Sequence, residues 1–315
     1  MGVLHRYPHT PIRRYRPMIL QQLVNGLTLG SLYALIALGY TMVYGVLLMI
    51  NFAHSEIFMS GAFVSLLAYG QLVKILPPVE SFLIAMVAAL VFSAVLAVII
   101  ERLAYRPLRR SSRLTPLISA IGVSILLQNA GFLFISDQSL AFPQPFTVQH
   151  YHWAGVEINS LQCLILIVAV TLMAALHLFV NKTRLGTAIR ATAQDASTAS
   201  LMGIPVNAII ALTFLLGGAL GGVAGALNGL YYGSIKYNMG FVPGIKAFTA
   251  AVLGGIGNIP GAMWGGFILG ILESLAAGLI PNGSEWKDVI AFSILIVILL
   301  FRPEGLFGRH VPEKV

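Results

Sequence analysis

Long apolar runs constrain this 315-residue chain more than any other feature of its sequence. A helix of about 20 apolar residues can cross the roughly 30 Å hydrocarbon core of a bilayer. In lipid, backbone groups must bond within the protein, which leaves helices and closed barrels as spanning structures. The runs predict an all-α polytopic membrane protein with about eight full spans. They lie at residues 18–43, 54–73, 81–100, 116–135, 160–180, 206–232, 261–280 and 288–301.

Basic residues border these runs and predict the orientation of the chain, because cytoplasmic loops carry an excess of Lys and Arg. Fifteen of the 19 Lys and Arg residues lie within 1–17, 102–113, 182–190 and 302–314, whereas 136–159 has none. We therefore predict a cytoplasmic basic tail over 1–17, a transmembrane domain over 18–308 and a cytoplasmic tail over 309–315. The net charge of +8 follows from this bias and does not indicate a nucleic-acid partner.

Counting the crossings predicts two irregular segments. Three runs separate the N-terminal tail from the loop 102–113, and both regions are predicted to be cytoplasmic, so the number of crossings must be even. The same mismatch follows Met202. We therefore predict one broken or re-entrant segment near 44–57 and another within 240–260. Their corresponding positions suggest two pseudo-repeated halves built around discontinuous helices, which are typical of transport sites.

Polar residues near these segments are candidates for a translocation pathway. Asn51, His54 and Glu56 lie at the first segment, Asn258 lies at the second, and Glu273 lies inside an apolar run. A charged side chain at the bilayer centre costs roughly 2.5–3.5 kcal/mol on insertion scales, so it should face the bundle interior or a wet cavity. The same side chains could instead bond to backbone groups freed where a helix breaks. The sequence leaves both interpretations open.

The one long polar interruption runs from Lys182 to Pro205. Residues 187–202 contain no Gly or Pro, and Gly203 stands where a helix-terminating glycine is expected. We predict a single helix over 187–202, roughly 24 Å long and too polar to span a bilayer. Its stripe of small residues fits either a surface connector or a docking helix for another protein.

Motifs for catalysis or cofactor binding are not recognisable in the sequence. No Lys follows G-x-x-x-x-G and precedes Ser or Thr, so the chain lacks a Walker A site and is not expected to bind and hydrolyse ATP by itself in the usual way. His150 and His152 lack a second ligand pair at metal spacing. A single cysteine, Cys163, excludes an intrachain disulfide. We expect a transport subunit without a metal or cofactor of its own, not an enzyme.

Three stretches in the same order resemble one family. They are 20–65, which contains MINFAHSEIFMSG, then 183–204, TRLGTAIRATAQDASTASLMGI, and 246–274, which contains LGGIGNIPGAMWGG. They resemble the high-affinity branched-chain amino acid ABC importer permeases of the LivH type, and the similarity extends over about 18–308. The resemblance implies a multi-pass permease of a bacterial or archaeal cytoplasmic membrane that imports Leu, Ile or Val by ATP-driven alternating access.

The resemblance also implies partners. Besides membrane lipid, these are a LivM-like second permease, LivG- and LivF-like ATPases that bind the ATP, and a periplasmic or lipid-anchored amino-acid-binding protein. The polar helix then becomes a coupling helix seated on an ATPase. Matching the family motif implies this role for Arg190, Ala191, Asp195, Ala199, Ser200, Leu201 and Gly203.

Other functions remain open. The same family serves urea, amides and other amino acids, and the permease pair could be homodimeric or heterodimeric. An ion-coupled secondary transporter would have similar broken helices, and a passive channel for a small solute would share the apolar pattern.

Overall fold

Eleven α-helices make up most of the chain that the computed structural model describes, which is residues 12–109, 111–112, 114–153 and 155–308. Their bounds are α1 Ile12–Leu47, α2 His54–Leu72, α3 Pro78–Ile100, α4 Leu114–Phe134, α5 Ser160–Lys182, α6 Arg184–Gln194, α7 Ala196–Leu201, α8 Val206–Tyr232, α9 Phe241–Gly254, α10 Ile259–Leu279 and α11 Gly283–Phe301. One π-helical turn, Glu101–Tyr105, and a 3-10 turn, Arg106–Leu108, extend α3.

Two short antiparallel ladders complete the fold. Strand β1 (Leu140–Ala141) pairs with β4 (Ser234–Ile235), and β2 (His150–Trp153) pairs with β3 (Val156–Asn159). Asn159 ends β3 and caps α5, since its side chain accepts from the Gln162 backbone while the Gln162 side chain accepts from the Asn159 backbone. The predicted external loop 136–159 is therefore an ordered hairpin region that leads directly into a helix.

Six segments of the described chain are long and apolar enough to cross a membrane. They are Met18–Leu47, Pro78–Leu108, Leu114–Phe134, Ser160–Lys182, Val206–Tyr232 and Ile259–Leu279. Helices α2 and α11, two of the eight predicted spans, are not among them: α2 is less apolar because it carries His54 and Glu56, and α11 begins with three charged residues, Glu285, Lys287 and Asp288. The chain is thus a polytopic all-α protein.

Helix α1 forms the centre of the bundle, and residues 32–38 are almost completely buried. It packs most extensively against α10, which runs antiparallel to it. A Cβ added at Gly30 would lie 2.8 Å from the Phe267 Cα, so only glycine permits this approach. Close backbone contact through small residues is the usual way in which helices associate in lipid.

One helix ends and another begins within each of the two segments, 44–57 and 240–260, that were predicted to be broken or re-entrant. Residues 48–53 separate α1 from α2, and 255–258 separate α9 from α10. With 14 residues, α9 is about 21 Å long, which is shorter than a bilayer core. Gly255 and Gly257 both adopt positive φ at the second break, a conformation that favours glycine.

The two ends of the described chain, near residues 21 and 308, lie at opposite ends of the bundle, whereas the sequence predicts that both termini lie on one side. Near its start, Gln21 exchanges hydrogen bonds of 2.9 and 2.8 Å with the backbone of Glu157 in the β2–β3 hairpin. At the other end, Leu48 and Gly308 line one cavity together with Arg190. The prediction gave the arginines of 1–17 the same weight as those of the inner loops. For this reason it required an even number of crossings between 1–17 and 102–113, where the sequence has three apolar runs.

Several predicted segments fall partly outside the described residues. Residues 1–11 and 309–315 are not described, so the tails assigned there remain predictions. The other part of the N-terminal tail, 12–17, belongs to α1.

Candidate functional site

His54 begins α2 deep inside the bundle and is 1% exposed. A Cβ added at Gly39 of α1 would overlap the imidazole, and one added at Gly221 of α8 would lie 3.2 Å from its Cε1 atom. The Tyr40 ring packs edge-on, with ring centroids 5.0 Å apart. Two glycines therefore make room for one imidazole where α1, α2 and α8 meet.

Asn51 lies just before α2 and connects the first helix break to the far end of α3. The Tyr105 hydroxyl donates to Asn51 Oδ1 at 2.7 Å, and the His54 backbone N–H donates to the Asn51 carbonyl at 3.1 Å. Both contacts hold the connection in place, as expected if a polar residue compensates for a broken helix. A role of Asn51 in the pathway stays a prediction.

Glu56 is a fully buried carboxylate on α2. Its Oε1 atom accepts hydrogen bonds from Gln128 Nε2 at 2.8 Å and from the hydroxyls of Ser124 and Ser55, both at 3.3 Å. Its Oε2 atom has no hydrogen-bond partner in the part of the chain that the structure describes. Nor does any described Lys or Arg form an ion pair with it.

A cavity of about 420 Å³ lies beside Glu56, between α1, α2, α4 and α9. The three residues that donate hydrogen bonds to Glu56 all line it. The carboxylate itself does not line the cavity but is hydrogen-bonded to residues that do. The remaining wall is mostly apolar and aromatic. The lining residues are Tyr40, Phe52, Ser55, Ile121, Ser124, Ile125, Gln128, Phe241, Ile245 and Phe248.

Glu273 lies elsewhere, in a buried ionic cluster that the sequence analysis did not anticipate. Lys246 Nζ of α9 lies 2.7 Å from Glu273 Oε1 of α10 and 2.6 Å from Asp288 Oδ1 of α11. The Tyr33 hydroxyl of α1 donates to Glu273 Oε2 at 2.9 Å. Glu273 therefore joins four helices and is not brought next to Glu56. We name Tyr33, Lys246, Glu273 and Asp288 the four-helix cluster.

Asn258 caps α10 and anchors the C-terminal segment. Its Oδ1 atom accepts from the Gly261 backbone at 3.2 Å, and its Nδ2 atom donates to the Phe307 carbonyl at 2.8 Å. The backbone N–H groups of Leu306 and Phe307 donate to the carbonyls of Leu253 and Gly254, which end α9. Asn258 thus holds the second break together, at a distance from the cavity beside Glu56.

The predicted single helix over 187–202 is wrong, because Asp195 divides it into α6 and α7. Asp195 adopts an extended conformation (φ −158°, ψ 104°), and its Oδ1 accepts from the backbones of Ser197 and Thr198 at 2.9 and 3.1 Å. It is the C-cap of α6 and the N-cap of α7. Hydrogen bonds from Ser197 and Thr198 hold the pKa of Asp195 well below its usual range. A strong N-cap residue therefore starts a new helix where propensity alone predicted continuity.

The predicted glycine at the end of this element is confirmed. Gly203 has φ +82°, and the Ile204 N–H donates to the Ala199 carbonyl at 3.0 Å while the Gly203 N–H donates to the Ser200 carbonyl at 3.0 Å. This pair of bonds is the Schellman motif. Helix α7 is therefore fixed at both ends by side-chain or backbone caps.

The seven predicted coupling residues differ in exposure. Asp195, Ser200 and Gly203 are exposed, and Leu201 is 87% exposed beside Met202 at 79%. The sequence analysis left Met202 out of the coupling set. Ala191 is half-buried.

Two of the predicted coupling residues contact the chain itself. Ala199 is 4% exposed and packs against the chain itself, and its role in coupling stays a prediction. Arg190, although exposed, donates from Nη1 to the Val180 carbonyl at 2.5 Å and so ties α6 to the end of α5.

A second cavity, of about 430 Å³, lies at this end of the bundle and is bordered by both Arg190 and Asn258. Tyr44 and Leu48 at the end of α1 also line it, as does Gly308. The predicted coupling element and the second helix break therefore share one cavity wall.

Glu101 and Arg109, which the sequence analysis did not single out together, form an ion pair at the end of α3. Arg109 also donates to Asn207 Oδ1 of α8 at 3.0 Å, so the basic loop after α3 and the α7–α8 connection lie at the same end of the bundle. Burial lowers the pKa of Arg109, and the neighbouring Glu101 opposes this effect. Spacing within the sequence gave no signal for the Asn207 contact.

His150 and Glu157 pair across the β2–β3 hairpin, with 2.5 Å between Nδ1 and Oε1. Among the described residues no three His, Cys, Asp or Glu side chains cluster in a way that could hold a metal ion.

Six long apolar helices, a largely apolar cavity with a few polar groups and a polar surface element define the class of polytopic membrane proteins. The sequence matches the family described as "Branched-chain amino acid transport system / permease component" over residues 22–299, and the chain belongs to this family.

Relatives of the chain carry consistent descriptions. It is 50% identical over 302 residues to the high-affinity branched-chain amino acid transport system permease protein BraD of Pseudomonas aeruginosa, covering 94% of this chain and 98% of BraD. It is 48% identical to the corresponding LivH protein of Escherichia coli, covering 94% and 97%. A probable LivH of Methanocaldococcus jannaschii is 28% identical, with 89% of each chain covered.

Proposed function

We propose that this chain is a permease subunit of an ABC importer that carries branched-chain amino acids across the cytoplasmic membrane. The observation that carries the proposal is the 50% identity to BraD over nearly the full length of both chains. The cavity beside Glu56 is consistent with it, because a polar rim and apolar walls suit a solute with a charged group and an apolar side chain. It is the proposed translocation pathway, with Asn51, His54 and Glu56 near it.

For orientation, we place the α6–α7 end in the cytoplasm and the β2–β3 hairpin outside. Two loops rich in Lys and Arg lie at the α6–α7 end, as the positive-inside bias favours. The chain would then enter from outside through α1, cross eight times through long helices and once through the short α9, and end in the cytoplasm. Two pseudo-repeated halves remain part of this proposal.

Coupling to ATP hydrolysis would occur through α6 and α7. Exposed Leu201 and Met202 form an apolar tip on an otherwise polar element, which suits insertion into a groove of an ATPase. The caps at Asp195 and Gly203 make this tip rigid, and α7 is joined to α8 by a short connection. Since α8 packs against α2, a push on the tip would reach the helix that carries Glu56.

Partner subunits are part of the proposal. A LivM-like second permease would cover α4, which buries only 11% of its apolar window within this chain and forms one wall of the cavity beside Glu56. LivG- and LivF-like ATPases would bind the ATP, and a periplasmic or lipid-anchored binding protein would deliver the substrate.

The test is transport by the reconstituted importer. Proteoliposomes that hold this chain, its partner permease and the ATPases should take up radiolabelled leucine only when ATP and the loaded binding protein are both supplied. Uptake by this chain alone under an ion gradient would refute the proposal in favour of a secondary transporter, and passive urea flux would favour a channel. Calorimetry on the binding protein separates leucine from urea or amides as the natural ligand.

A further inference from the structure

The hydrogen bonds around Glu56 determine what the neighbouring cavity offers to a ligand. An ionised carboxylate only accepts hydrogen bonds, so the Gln128 side chain must direct its NH₂ group toward Glu56. The amide oxygen of Gln128 is then left without a partner from Glu56. Geometry and charge together fix the orientation of this amide, which diffraction alone often leaves ambiguous.

Ser124 and Ser55 likewise donate their hydroxyl protons to acceptors within the protein. Ser124 donates its single hydroxyl proton to Glu56. The one proton of Ser55 is used either on Glu56 or on the Phe52 carbonyl at 2.9 Å. In both cases the proton stays within the protein, and the oxygen lone pairs remain free to accept. Because Ser55, Ser124 and Gln128 all line the cavity, its polar wall offers mainly acceptors.

When Glu56 is ionised, it places an unpaired negative charge behind these acceptors. Glu56 has no ion-pair partner among the described residues, and its Oε2 atom accepts no hydrogen bond from them. A carboxylate that served only to hold helices together would be expected to use both oxygens, as Glu273 does with Lys246 and Tyr33. A buried, uncompensated charge is costly, and a cation in the cavity would relieve that cost.

We propose that the cavity between α2, α4 and α9 receives the protonated amine of the substrate, and that Glu56 is the positioning residue that makes its wall an acceptor surface. The inference deepens the proposed function, on which it rests, by assigning the ammonium group to this wall. An ammonium group has three donors and no acceptor, so it matches oxygens whose protons are turned away. The aromatic and aliphatic walls, among them Phe241 and Phe248, accommodate the apolar side chain.

The first test compares variants of the complete reconstituted importer. Glu56→Gln keeps the shape but removes the charge and reorients the donors, and leucine uptake should fall by about 10–100-fold, as expected for one charge-assisted hydrogen bond. ATP hydrolysis stimulated by the loaded binding protein and the thermal unfolding midpoint should change little. Glu80→Gln, an exposed residue of α3 with the same change of charge, is the matched control and should transport normally.

A charge exchange separates positioning from folding. Glu56→Gln combined with Gln128→Glu moves the carboxylate across the same 2.8 Å contact to the cavity wall. This double variant should recover part of the uptake that Glu56→Gln loses. Normal uptake by Glu56→Gln would overturn the inference. So would a loss of uptake accompanied by an equal loss of assembly and ATP hydrolysis, which would make Glu56 purely structural.

The second test reads ligand occupancy directly. In the complex with Cys163→Ser, a cysteine introduced by Ile125→Cys reports on the cavity by its rate of thiol labelling. Leucine and 3-methylbutylamine should slow the labelling, 4-methylpentanoate should not, and Glu56→Gln should abolish the protection. Equal protection by 4-methylpentanoate, or none by the amine, would overturn the inference. If the unmodified importer takes up no leucine at all, the proposed function itself has failed, which is a separate result.

Discussion

The four-helix cluster allows a quantitative prediction about stability. Lys246 and Glu273 are each 3% exposed and lie 2.7 Å apart, so neither charge is solvated by bulk water. Lys246→Met leaves Glu273 with only the Tyr33 hydroxyl, and an uncompensated buried charge costs about 3–5 kcal/mol. Glu273→Gln is milder, because Lys246 keeps Asp288 at 2.6 Å, and we expect a loss of about 1.5–3 kcal/mol for one bond to a charged group.

The ranking of the variants by their free energy of unfolding tests this account of the four-helix cluster. Equilibrium unfolding of the purified chain in mixed micelles should rank Lys246→Met as more destabilised than Glu273→Gln. The double variant should be more stable than Lys246→Met alone, because it removes the stranded carboxylate. Asp288→Asn, at a side chain 44% exposed, serves as the control and should cost no more than about 1 kcal/mol. A Glu273→Gln variant that is less stable than Lys246→Met would refute the reasoning.

Three further predictions concern the caps, the packing and the docking tip. Asp195→Ala should speed backbone hydrogen exchange over α7, whereas Asp195→Asn should not, since Asn also caps helices. Because the pKa of Asp195 is lowered, the wild-type side chain should stay ionised and keep capping α7 at pH values where an ordinary Asp becomes protonated, and the cap should weaken only at still lower pH. Gly39→Ala should lower the thermal unfolding midpoint and destabilise the chain by about 1–3 kcal/mol through overpacking, because the added Cβ overlaps the His54 ring. Gly70→Ala is the control, since a Cβ there meets open space, and equal midpoints for the two variants would contradict the packing described for His54. Leu201→Asp should leave the chain folded but abolish ATP-driven uptake, and normal uptake would remove Leu201 from the docking tip.

Features that depend on local chemistry could be predicted from the sequence. Apolar runs identified the long helices, and the glycine at 203 identified a helix end, because both signals lie within a few residues. The candidate residues Asn51, His54 and Glu56 proved to be buried near one another, since they lie in one short segment. The cavity beside Glu56 depends on how α4 and α9 pack against this segment, and no local pattern indicates that packing.

Other features failed for identifiable physical reasons. The division of α6 from α7 depends on one aspartate that caps better than it continues a helix, and propensity summed over 187–202 hides that competition. Lys246 was overlooked because its role depends on ion pairs with Glu273 of α10 and Asp288 of α11, and the sequence does not show that these helices meet. The contact between Gln21 and the β2–β3 hairpin was not anticipated, because a rule based on loop charge is statistical, whereas this contact is specific.

The hydrogen bonds from Leu306 and Phe307 to the end of α9 have a consequence for biosynthesis. Their acceptors, the carbonyls of Leu253 and Gly254, are made about 50 residues earlier, which corresponds to roughly 3–10 s of translation at 5–20 residues per second. During this interval the carbonyls of Leu253 and Gly254 lack the hydrogen bonds that Leu306 and Phe307 later donate. A chain that stops before Leu306 would lack both hydrogen bonds, so the end of α9 would depend on the rest of the bundle alone.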